Sequence, residues 1–108
     1  MPHADLKYSL DLTFDPQAMF TAIEHTILAH DSGSGDCKCR SYPAEASNHT
    51  HLLLEISMLS KPHRDEAFTL RLRDAIAAAV KCHLKQSCYI SLAITYSDAM
   101  YLTDRHDI

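Results

Sequence analysis

Proline follows the initiator methionine directly, and the chain then runs at once into the alternating stretch ADLKYSLDL. A penultimate residue this small permits removal of the methionine, which would leave Pro2 with a secondary amine that no other residue type offers. An unperturbed α-amino group titrates near ~8. Desolvation or a neighbouring cation disfavours its ammonium form and brings it toward neutrality, where a group works well as a general base. His3, beside this amine, either orients a substrate or is one more strand-face histidine. Further along, DCKCRSY interleaves two thiols with two cations, and Lys38 and Arg40, two apart in an extended segment, point to the same side.

Other chemistries find less support. Eight histidines and the Cys37/Cys39 pair raise the question of zinc, because thiolate and imidazole ligands suit that ion. Metal signatures need a second nearby pair at C-x2-C or H-x3-H spacing, which is lacking, so no metal site is expected. Cys82 and Cys88 bracket the end of a helical stretch and read as small buried hydrophobes. There is no G-x-S-x-G elbow, no G-x-G-x-x-G and no Walker-type loop, which disfavours nucleotide and dinucleotide chemistry. Tyr8, Tyr96 and Tyr101 are candidates for lining an apolar pocket or for packing in the core.

The elements that must position these groups follow from periodicity. Ala4, Leu6, Tyr8, Leu10 and Leu12 alternate with Asp5, Lys7, Ser9 and Asp11, the period of a strand with one buried face. Asp15 then reads as an N-cap with Pro16 at the first helical position, and Met19, Phe20, Ile23, Ile27 and Leu28 recur at helical spacing. The DSGSG stretch, residues 31–35, ends that helix. An extended segment over DCKCRSY ends at Pro43. Residues 48–60 place Leu52, Leu54, Ile56 and Met58 on one face and Leu53 and Leu59 on the other, which predicts a central strand covered on both sides. After the turn SKPHRDE, the residues Phe68, Leu72, Ile76, Val80 and Leu84 fall at successive i+4 steps, a helix of about five turns. Alternation returns with Ile90, Leu92, Ile94 and Tyr96, and the tail SDAMYLTDRHDI has no clean period.

The order is β-α-β repeated, with a Pro/Ala/Ser/Asn-rich joint at residues 42–48. That is a single two-layer domain over 1–108, an α+β architecture whose four-stranded sheet carries both helices on one face. The opposite face, read as too apolar for water, predicts cover by further copies of the chain in a closed ring. A charge of -4 gives no basic field for nucleic acid or anionic lipid. The chain contains no apolar run long enough for a bilayer and no signal-peptide pattern, so a cytoplasmic location with reduced cysteines is expected.

The start MPH, the helix near Phe20, the K-C-R stretch behind a glycine-containing turn, the strand HLLLEISML, KPHR opening a long helix and the strand YISLAITY occur in one order. In that order and spacing the chain resembles 5-carboxymethyl-2-hydroxymuconate Δ-isomerase, of the tautomerase superfamily that includes macrophage migration inhibitory factor and 4-oxalocrotonate tautomerase. The resemblance covers nearly the whole chain. It implies a homotrimer whose amino-terminal proline moves a proton between carbons of an unsaturated 2-oxo or 2-hydroxy dicarboxylate, with no metal or organic cofactor. Pro2 is then the base, Arg40 the cation that stabilises the dienolate and Lys38 a substrate contact; His3, from its place beside the base rather than from the resemblance, is the further substrate-binding candidate. Ala4 stands where the family has an aromatic residue, which is expected to enlarge a pocket beside the proline. Lys7 replaces an acid, Lys38 replaces an arginine, and MYLTDRH replaces an Asn-rich aromatic segment. The alternative is a module on the same fold that binds a small acid without turning it over.

Overall fold

A computed structural model describes all residues, Met1–Ile108. The elements follow in the order β1 (His3–Ser9), α1 (Pro16–His30), β2 (Lys38–Ala44), β3 (His51–Leu59), α2 (Glu66–Cys82) and β4 (Tyr89–Ser97). The sheet order is β2-β1-β3-β4. β1 pairs parallel with β2, and β3 pairs parallel with β4. A parallel pair needs a long crossover, and α1 and α2 supply it. The two β-α-β halves then meet through antiparallel β1 and β3 at the centre. This is the predicted β-α-β-β-α-β fold, a slab only 22 Å thick.

The helices start where the sequence says. The Asp15 carboxylate accepts from the backbone N–H groups of Gln17 and Ala18, at 3.0 and 3.3 Å, and Pro16 opens α1. Asp65 caps α2 by accepting from the Phe68 N–H at 2.9 Å. Each such cap contributes about 1 kcal/mol by satisfying donors that the first turn leaves unpaired. Met19, Ile23 and Ile27 from α1 and Phe68, Leu72, Ile76 and Val80 from α2 meet Ala4, Leu6, Leu52, Leu54, Ile56 and Met58 from the sheet in one core.

Several expectations are corrected. Pro43 lies inside β2, which is an edge strand where a missing N–H costs no ladder bond. Leu84 falls beyond α2 and packs against the core from the following loop. Cys82 is exposed, because its place on α2 turns away from the stripe. Ala4 is wholly buried in the core, so the room left by its small side chain is filled by neighbours and opens no pocket. The bare sheet face is not apolar. The rungs put Lys38, Arg40 and Tyr42 beside His3, Asp5 and Lys7, and continue through Ser57, Glu55 and Leu53 to Thr95, Ala93 and Ser91. Lys7 pairs with Glu55 at 3.0 Å on this face, which is polar and charged.

Candidate functional site

The groups of interest gather at the N-terminal end of β1. Pro2 is fully buried, and its carbonyl accepts from the Lys38 N–H at 2.9 Å, the first rung that joins the start of β1 to β2. The ring is therefore held by the sheet. Met1 is joined to it and half-exposed, with its side chain lying against Gly35. Gly35 has φ +77°, a left-handed conformation that a glycine adopts without strain and that turns the loop past the N-terminus into β2.

The parallel register sets His3 opposite Lys38 and Asp5 opposite Arg40, all on the open face. Arg40 donates from Nε to Asp5 Oδ1 at 2.8 Å, and both of its terminal nitrogens lie 3.3 Å from His3 Nδ1. The bond to Asp5 raises the Arg40 pKa further, so the guanidinium is permanently charged. His3 Nε2 lies 3.0 Å from the Tyr101 hydroxyl, and the two rings meet edge to face at 6.1 Å. Tyr101 in turn donates to the Met1 carbonyl at 3.3 Å. Burial first, then the charges of Arg40 and the N-terminus, lower the His3 pKa, so the imidazole is held neutral. Lys38 is exposed and has no ion-pair partner.

Pro2, His3, Lys38 and Arg40 are thus brought to one end of the sheet. Two partners join them in ways the sequence hardly signals. Asp5 binds one edge of the Arg40 fork; an opposite charge on each of two predicted strands was its only signal. Tyr101 makes polar contacts rather than lining an apolar pocket, and an unpatterned tail gave no hint of where it docks. Beside them the open face forms a concavity of about 200 Å³, lined in part by His3, Asp5, Ser57 and Thr95. This end of the sheet offers a cation with free donors, a neutral imidazole and a phenol beside the N-terminus, a set suited to an anionic oxygen or a carboxylate.

On the helix side, Cys37 and Cys39 bring their sulfurs within 3.7 Å beside a cleft shared with Phe20 and Glu24. The Cys37 N–H donates to Glu24 Oε2 at 2.8 Å, which ties the start of β2 to α1. The residues form no cluster of three or more ligands able to hold a metal ion.

No protein-family model matches the chain, and no curated protein matches its sequence. Solved structures do. A 5-carboxymethyl-2-hydroxymuconate delta-isomerase superposes with a TM-score of 0.71 at 21% identity, over 99% of this chain and 88% of that one. A 5-carboxymethyl-2-hydroxymuconate isomerase from Deinococcus radiodurans R1 gives a TM-score of 0.78 at 17% identity, over 98% and 90% of the two chains. A fused 4-OT wild-type symmetric trimer gives 0.74 at 11% identity, over 95% and 93%. Likeness at these identities speaks to architecture: the chain has the tautomerase fold, shared with 5-carboxymethyl-2-hydroxymuconate isomerase structures over nearly its whole length.

Proposed function

We propose that this protein, once Met1 is removed, is a cofactor-free isomerase of the tautomerase type that acts on an unsaturated 2-oxo or 2-hydroxy dicarboxylate, as the 5-carboxymethyl-2-hydroxymuconate isomerases named above suggest. The observation that carries this reading is the buried Pro2, fixed through its carbonyl to the Lys38 N–H at the end of β1 where Lys38, Arg40 and a neutral His3 gather on the open face. The free amine takes a proton from carbon adjacent to the conjugated carbonyl or enol. The C–H pair moves into the π system as a dienolate, and the same nitrogen returns the proton to a different carbon. Nothing is oxidised or reduced, and the proton count is unchanged. Lys38 and Arg40 neutralise the substrate carboxylates and favour the uncharged amine.

The similarity to a symmetric trimer supports self-association as a homotrimer, in which neighbouring copies would close the open side of the site. Location in the cytoplasm is part of the same proposal. Proton abstraction by a positioned base is worth about 100- to 10,000-fold. Protein with a free Pro2 is therefore expected to convert an unsaturated 2-oxo dicarboxylate, followed by the change in its ultraviolet absorbance, at least about 100-fold faster than protein that keeps Met1 or carries an added N-terminal residue. Equal rates would remove Pro2 as the base. The engagement of the Arg40 fork by Asp5 and His3 favours a second reading, a binding module for small acids, and binding of the dicarboxylate without turnover by the free-Pro2 form would select it.

A further inference from the structure

Donor and acceptor roles around His3 are fixed by chemistry. Arginine has only donors, so His3 Nδ1, 3.3 Å from both terminal nitrogens of Arg40, must accept. A neutral imidazole that accepts at Nδ1 carries its proton on Nε2, which then donates to the Tyr101 oxygen at 3.0 Å. The hydroxyl hydrogen of Tyr101 is left to point onward, and it points at the Met1 carbonyl oxygen, 3.3 Å away. That oxygen belongs to the carbon bonded to the Pro2 nitrogen. Across a peptide bond such an oxygen lies about 2.3 Å from the nitrogen, so the Tyr101 oxygen is within about 5.6 Å of the future base.

When Met1 leaves, the hydroxyl loses this acceptor and faces the space beside the amine. A substrate carbon in position to give its proton lies about 3 to 3.5 Å from the base, and the carbonyl oxygen next to it falls within reach of Tyr101. We propose that Tyr101 is a catalytic hydrogen-bond donor to the enolic oxygen of the substrate, aimed by His3, whose tautomer Arg40 fixes. The proposal rests on Pro2 being the base. Through it, Arg40 acts on the oxygen by a relay of two hydrogen bonds, which strengthens as negative charge develops there. Its other edge stays on Asp5 at 2.8 Å. Within residues 98–108, every hydrogen bond to the rest of the chain runs through the Tyr101 hydroxyl, while Met100 and Leu102 on either side stand in solvent. The segment is thus placed by the group that meets the substrate.

The test compares free-Pro2 wild type, Tyr101→Phe, His3→Leu and His3→Gln on an unsaturated 2-oxo dicarboxylate. Phenylalanine keeps the edge-to-face contact with His3 and removes only the hydroxyl. Expected is a fall in kcat of about 100-fold for Tyr101→Phe with KM within about threefold of wild type, since the donor serves charge present only in the transition state. As a positioning residue, His3 is expected to show a similar loss in His3→Leu and recovery of most of it in His3→Gln, whose amide oxygen accepts from Arg40 and whose nitrogen donates to Tyr101. Wild-type kcat in Tyr101→Phe, or a change in KM alone, would overturn the role of Tyr101 and leave Pro2 as the base. Loss in His3→Leu that His3→Gln fails to restore would overturn the relay. An inactive free-Pro2 wild type would overturn the base assignment and this proposal with it.

Discussion

Arg64→Met tests the joint that holds the loop in front of the N-terminus. Asp31, which ends α1, and Arg64, in the turn before α2, are both nearly sealed from water, with side chains 8% and 3% exposed. Arg64 donates to Asp31 Oδ2 from Nε at 2.9 Å and from a terminal nitrogen at 2.8 Å, and its other terminal nitrogen donates to the Leu59 carbonyl at 2.6 Å. His63 donates to the same carboxylate oxygen at 2.9 Å from the solvent side. Methionine fills most of the volume but leaves the carboxylate with one donor and the Leu59 carbonyl with none. Breaking a buried pair costs about 3–5 kcal/mol, and the remaining His63 contact sets the loss at about 3 kcal/mol. In a chain of this size that lowers the melting temperature by roughly 10 to 20 °C.

The pH dependence separates charge from packing. Burial alone would raise the Asp31 pKa, but hydrogen bonds from His63 and Arg64 hold it below its ordinary value. A carboxylate depressed in the folded state contributes stability that is fully present above the unfolded pKa, near ~3.9, and is lost as pH falls through the folded one. Removing Arg64 leaves burial less opposed, which raises the folded pKa in the variant and relieves its penalty on acidification. Both effects shrink the gap between wild type and variant below about pH 4. Urea unfolding followed by circular dichroism at pH 7 and pH 3.5 reads this directly. A gap under about 1 kcal/mol at pH 7, the range of an exposed pair, would refute the buried-pair argument. An equal gap at both pH values would assign the loss to packing alone.

Two further outcomes follow from the site. On the proposed function Asp5 competes with substrate for Arg40, and since Arg40 and Asp5 are 42% and 34% exposed, Asp5→Asn in free-Pro2 protein is expected to lower KM for a dicarboxylate about two- to fivefold, corresponding to about 0.5–1 kcal/mol; a raised KM would mean that Asp5 aligns the fork instead of occupying it. The hydrogen bond between the sulfurs, then burial, push the Cys37 thiol far up, while the same bond lowers that of half-buried Cys39. Iodoacetamide on the native protein near pH 7.5 should therefore modify Cys39 at least about tenfold faster than Cys37, read by peptide mass spectrometry, and the reverse order would contradict this ordering of the two thiols.

What was legible in the sequence is what repeats locally. The i+4 series Phe68, Leu72, Ile76 and Val80 became the buried stripe of α2, and the alternation through Ala4 and Leu6 became the core face of β1. Asp15 with Pro16 marked the start of α1 because an N-cap is settled within three residues. Within its own strand Leu53 suggests an apolar open face. Across the sheet its neighbours are Lys7 and Ser91, and a face is made by rungs that join distant parts of the chain.

The candidate site divides in the same way. Lys38 and Arg40 lie two apart on β2, so their shared side could be read by counting. The bonds that give them chemistry span 35 residues from Asp5 to Arg40 and 98 from His3 to Tyr101, and no local period encodes such a distance. The tail looked structureless because one hydroxyl, rather than a repeating apolar face, docks it. That mode of attachment ties the segment to the occupancy of the site. While Met1 supplies an acceptor, Tyr101 is spent on the chain itself, and on the proposed mechanism the same contact passes to a substrate oxygen once the terminal amine is free. On the proposed mechanism, release of the base and release of the donor are consequences of a single cleavage.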